Sequence, residues 1–82
     1  LIVAFDSSHD AIKAETVCAR EDLAVRLIPI PPEVSAGCGL ALRAELESAG
    51  RVRTILEEAG VRGVFYRLKR DGSKRIVERM EE

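Results

Sequence analysis

Cys38 stands between Gly37 and Gly39, three residues after Ser35, in a stretch that follows Pro29, Pro31 and Pro32. Glycine neighbours have no side chain to shield a sulfur, and their N–H groups can face a bound anion. This spacing suits a thiol that acts as a nucleophile or carries a transferred group. It equally suits a small residue in a Gly-rich turn. A free thiol has a pKa of about 8.5, so a reactive Cys38 needs something nearby to favour its thiolate.

The other groups able to do chemistry are Cys18, His9 and three arginines. Cys18 falls on the apolar side of a helical stretch, where a thiol acts as a small hydrophobe. His9 is the only histidine. It follows the first strand, whereas Cys38 precedes the third, which is expected to run parallel to the first, so a strand length of roughly 17–20 Å separates the two. On the same assumption the Cys38 loop lies near helix C-termini, whose partial negative charge does not favour a thiolate. Arg26, Arg43 and Arg67 fall at strand positions that would project from one sheet face. Guanidinium groups so placed can hold a phosphate or carboxylate, or can be solvated at the rim of an interface.

The elements that must position these groups follow from periodicity. Residues 1–5, LIVAF, form a continuous apolar run that reads as a central strand. Ser7 to Asp10 is a helix start in which a hydroxyl and a later carboxylate can satisfy free N–H groups. The helix runs to about Glu21, with Ala11, Ala14, Val17 and Cys18 on one face. Residues 24–29 alternate as a strand until the prolines remove backbone donors, and residues 40–43 alternate as a third. Ser48 is placed to cap a second helix whose Val52, Ile55, Leu56 and Ala59 recur at helical spacing before Gly60. Val64, Tyr66 and Leu68 alternate as a fourth strand ending at Asp71-Gly72. Ile76, Val77 and Met80 fit a short amphipathic helix in a charged tail, and a frayed end fits the same residues equally.

That order predicts an α+β domain over residues 1–72, a ferredoxin-like βαββαβ two-layer sandwich with a four-stranded antiparallel sheet, followed by the tail 73–82. The first and third strands are expected to be central and parallel. Val25, Leu27, Leu40, Leu42, Val64 and Tyr66 are expected to face the helices. Ile2, Ile28 and Phe65 are then left with the arginines on an open face, an apolar patch that predicts a homodimer.

Composition narrows the function. The 82 residues are 46% hydrophobic and 33% charged, the balance of a folded globule. Thirteen basic and 14 acidic side chains give a net charge of -1, with no field drawing the chain to nucleic acid or anionic lipid. RNA-binding sheets of this topology stack bases on aromatics of the central strands, and here those positions hold Ile2, Ala4, Ala41 and Arg43. No apolar run reaches the roughly 18 residues of a membrane span. The N-terminus has no signal-peptide pattern, and because Leu1 is not a start methionine, natural residues are expected to precede it. Two cysteines and one histidine provide no zinc spacing and no disulfide framework, which fits a reduced, cytoplasmic setting without metal or cofactor. No paired carboxylates or phosphate loop stand out, so the chain does not read as an enzyme.

The segments FDSSHDAIKAE, VRLIPIPPEVSAGCGLALR and ILEEAGVRGVFYRL resemble the selenium/sulfur carrier protein-like domain family. The resemblance extends to about Arg70 and is most specific from Pro29 to Arg43. It implies that Cys38 is the carrier residue, supported by the loop of Ser35, Gly37 and Gly39, and that it holds sulfur or selenium as a persulfide or selenylsulfide. It also implies donor and acceptor proteins such as a cysteine desulfurase. The sequence lacks the Cys-Pro-X-Pro arrangement of the better-known small sulfur-relay proteins. The alternative is a non-enzymatic ligand-binding or protein-interaction module that uses the open sheet face.

Overall fold

The computed structural model describes residues 1–34 and 39–80. Strand β1 (Ile2–Ala4) leads to helix α1 (Ser8–Arg20), strands β2 (Val25–Pro29) and β3 (Leu40–Ala44), helix α2 (Ala49–Glu58), and strands β4 (Val64–Asp71) and β5 (Lys74–Arg79). The strands form one open antiparallel sheet in the order β2-β3-β1-β4-β5. The class is α+β as expected, and the four expected strands are joined by a fifth.

Two expectations fail on topology. β1 and β3 are antiparallel, with Ala4 opposite Ala41 and Ile2 opposite Arg43. The cause is connectivity. The α1 crossover makes β2 parallel to β1, and the direct return from β2 makes β3 antiparallel to both. The tail is not a helix, because Lys74–Arg79 pairs along β4, Asp71 opposite Lys74 and Tyr66 opposite Arg79. The two-residue turn has Gly72 at φ 63° followed by Ser73, which is not left-handed, the pattern of a type II′ hairpin.

The helix ends follow from local chemistry. Ser7 caps α1 by accepting the Asp10 N–H at 3.1 Å. α1 ends in a Schellman motif, with Leu23 N–H on the Cys18 carbonyl and Asp22 N–H on that of Ala19, and Asp22 is left-handed at φ 60°. α2 ends the same way: Val61 and Gly60 donate to Leu56 and Glu57, and Gly60 is at φ 72°. Ser48 does not cap α2 with its hydroxyl; the helix is entered through a short 3-10 turn over Leu46–Ser48.

Both helices cover one face of the sheet. Val3, Phe5, Leu42 and Phe65 pack there with Ala11, Ala14 and Cys18 of α1 and Val52 and Leu56 of α2. Val25, Leu27 and Leu40 join this layer as expected. β4 is one residue out of the expected register: Phe65 stands opposite Val3 and faces the helices, while Val64 and Tyr66 stand opposite Ala4 and Ile2 on the other face. Gly63 lets β4 begin against β1, since a Cβ there would stand 2.5 Å from Val3 Cγ1 and 3.0 Å from Phe5 Cε1. At the sheet edge Glu15 of α1 accepts the outward N–H of Leu27 at 3.3 Å, occupying a donor that another strand could use.

The second face is covered over its central strands, while Arg26 and Arg43 stay exposed on it. Ile2, Ala4 and Ala41 lie on it and are 3%, 5% and 0% exposed, outside the helix-side cluster. Val34 is also buried, as is Pro31, whose carbonyl accepts the Val34 N–H at 2.9 Å. Arg75 of β5 clasps Glu33 with Nε–Oε2 at 2.9 Å and Nη2–Oε1 at 2.7 Å. Four strand spacings, about 19 Å in a flat sheet, separate β2 from β5. Contact between Arg75 and the residues just after β2 therefore requires that segment and the outer β4–β5 hairpin to meet across this face. The dimer patch expected there does not form, because Ile2 is buried within the chain and Phe65 lies on the other side.

Candidate functional site

Ser35, Gly37 and Cys38 lie outside the described residues; the flanking residues fix where that segment is attached. Val34, itself buried, ends the turn over the second face. Gly39 is left-handed at φ 74°, and its carbonyl accepts the Ile30 N–H at 2.9 Å, closing the β2–β3 connection above the Pro29–Leu40 pair. A Cβ at Gly39 would meet nothing within 4 Å, so glycine is suited here by backbone conformation and not by crowding.

The antiparallel β1–β3 pairing overturns the expected separation of His9 from this loop. Ala4, at the end of β1, lies opposite Ala41, at the start of β3, so the first turn of α1 and the attachment points of residues 35–38 share one end of the sheet. His9 is exposed in that first turn. The expected electrostatics change as well. α1, which packs against β2 and β3, points its positive N-terminal end toward this side, while α2 points its C-terminal end there.

Cys18 behaves as its helical position suggests. It is 0% exposed, it belongs to the core cluster, and burial pushes its thiol pKa up, away from the thiolate. It has the character of a core residue and not of a nucleophile.

The three arginines are separated. Arg26 and Arg43 are direct partners across β2 and β3 and project from the second face with Ile2. Arg67 does not join them: it lies opposite Glu78 in the β4–β5 ladder, where Lys69 bonds Glu78 at 2.9 Å and holds that carboxyl below its usual range. The Glu33–Arg75 clasp was missed from sequence because Arg75 was placed on a helix. The hairpin signal at Gly72-Ser73 could have put Arg75 on a strand, though not opposite Glu33.

Among the described residues no group of three or more His, Cys, Asp or Glu is placed to hold a metal. No described helix is long and apolar enough to cross a membrane. A family model described as "Putative Se/S carrier protein-like" matches residues 1–65, which covers β1 through the start of β4. No curated protein and no solved structure matches the chain.

Proposed function

The chain belongs to the Se/S carrier protein-like family, and from that premise we propose that Cys38 carries sulfur or selenium between partner proteins. The observation that carries this reading is the state of the other cysteine. The sequence holds two cysteines, and Cys18 is buried in the helix-side core with its thiol pKa raised. A carrier role therefore falls to Cys38.

In the proposed step the Cys38 thiolate attacks the outer sulfur of a persulfide on a donor such as a cysteine desulfurase. The new S–S bond forms as the donor's S–S bond breaks, and the donor cysteine leaves as a thiolate. Cys38 then holds a persulfide, and an acceptor thiolate removes the outer sulfur by the same exchange. Selenium in the outer position balances identically. A carrier needs to supply only a sulfur that partners can reach, while the donor and acceptor supply the catalysis, so the domain itself is proposed to be a non-enzymatic carrier.

The test is incubation with a desulfurase and cysteine followed by intact-mass measurement. Wild type and Cys18→Ser should gain one sulfur atom, and Cys38→Ser should gain none. A gain that persists in Cys38→Ser overturns the proposal.

A further inference from the structure

At the end of the sheet away from residues 35–38, we propose that Arg26 and Arg43 form a binding site for a small organic oxyanion, a phosphate or carboxylate bearing a short hydrocarbon arm. The two arginines are direct cross-strand partners. Like charges placed directly opposite on a sheet face are destabilising. Three other cations have carboxylate partners, Arg51 with Glu21, Lys69 with Glu78 and Arg75 with Glu33; what distinguishes Arg26 and Arg43 is that they stand side by side. No hydrogen bond or ion pair among the described residues joins Arg26 or Arg43 to a carboxylate. Two adjacent guanidinium groups with no carboxylate bonded to either are what an oxyanion site presents before its ligand arrives.

The surroundings define the ligand. Both arginines line a groove of about 560 Å³, within the range of small-molecule sites. Ile2 lines it from the sheet, and Leu46 and Leu68, 40% and 37% exposed, line it from the 3-10 turn and from β4. Two guanidinium groups can take an oxyanion through paired charge-assisted hydrogen bonds, and the leucines offer apolar surface for a hydrocarbon arm. Glu45 also lines the groove, so its three charged side chains sum to a single positive charge and favour a ligand of low net negative charge. Arg67 is not among the lining residues, which makes it an internal control.

The experiment titrates the protein with hexyl phosphate, hexanoate, inorganic phosphate and hexanol, following backbone and arginine side-chain NMR signals. Hexyl phosphate or hexanoate should saturate and shift the Arg26 and Arg43 Nε–H signals. Inorganic phosphate and hexanol should each bind more weakly, having only half of the recognised chemistry. The phosphate and carboxylate arms identify which oxyanion is preferred. Arg43→Gln should weaken binding about tenfold or more, the loss expected when a charge-assisted hydrogen bond is removed, and Arg67→Gln should leave binding unchanged. Without ligand, Arg43→Gln should melt no lower than wild type, because it relieves the repulsion with Arg26; Arg43→Lys, which keeps the charge and loses the fork, should bind with intermediate strength. Failure of hexyl phosphate and hexanoate to bind, equal effects of Arg43→Gln and Arg67→Gln, or a melting point lowered by Arg43→Gln would overturn the site. The carrier assay reads Cys38 alone, so the two proposals fail independently.

Discussion

The two faces of the sheet are closed by different physics. On the helix side, Phe5, Leu42, Leu56, Val3, Val52 and Cys18 are fully buried, and a fully buried Leu or Phe side chain contributes about 1.5–3 kcal/mol through the area it removes from water. On the second face the buried residues are Ile2 and the small Ala4 and Ala41, covered where Pro31 to Val34 come across and fastened by one exposed ion pair, Glu33–Arg75. The first face holds the fold together. The second is covered, over its central strands, by a thin layer that also carries the attachment of residues 35–38.

The sharpest way to break this contrast is Phe65→Glu. If Phe65 lay on an exposed face, the substitution would split a dimer and leave folded monomers. With the side chain 5% exposed against Val3, Leu56 and their neighbours, it places a carboxylate in the core and should cost more than about 4 kcal/mol. A domain this small has roughly 5–10 kcal/mol in total, so the expected result is loss of cooperative unfolding by circular dichroism. A folded Phe65→Glu variant would return β4 to the other register. Gly63→Ala is the next largest effect: its methyl would collide with Val3 and Phe5, and a urea midpoint lowered by the equivalent of about 1–3 kcal/mol is expected. An unchanged midpoint would show that β4 is not seated so closely on β1.

Most of the helix side was legible in the sequence and most of the second face was not. The α1 stripe of Ala11, Ala14 and Cys18, the Ser7 cap and the Gly60 stop each rest on contacts within a few residues, so periodicity and capping rules suffice. β4 reads ambiguously because Val64, Phe65 and Tyr66 put apolar groups on both parities, and only the pairing of Phe65 with Val3 decides. β5 was mistaken for a helix because Ile76, Val77 and Met80 fit either period once the turn at Gly72 is treated as a chain end. The antiparallel β1–β3 pairing did follow from connectivity, and missing it misplaced His9 and the α1 N-terminus relative to Cys38. The clasp between Glu33 and Arg75 spans 42 positions, a separation at which local pattern carries no information. The covered face depends on it.

A modest effect tests the helix layer from its own weak point. Asp22 ends α1 in a left-handed conformation that glycine adopts without steric cost. Asp22→Gly should therefore raise stability by about 0.5–1 kcal/mol, read as a higher urea midpoint. No gain would mean that the Asp22 side chain stabilises this turn in some other way.

The smallest global effect, and the most informative about the second face, belongs to Glu33 and Arg75. Hydrogen bonds from the Arg75 guanidinium, with a smaller backbone contribution, hold the Glu33 carboxyl below its usual range. The carboxylate pKa is depressed on folding, so the pair contributes fully above the ordinary value of about 4.3. That contribution is lost as pH falls through the lowered folded-state value. Both side chains are partly solvated and screened, so Arg75→Ala should leave the melting temperature nearly unchanged. It should instead speed hydrogen exchange at the Val34 N–H, which bonds the Pro31 carbonyl beneath the clasp, while Val61 N–H at the end of α2 keeps its protection. Carboxyl NMR should place the Glu33 midpoint below the ordinary range in wild type and back within it in Arg75→Ala. Acidifying the wild type below that midpoint should reproduce the faster Val34 exchange. If Val34 and Val61 respond together, the two faces open as one unit and the contrast between them is lost; if Val34 alone responds, the segment leading to Cys38 can be loosened while the core stays closed.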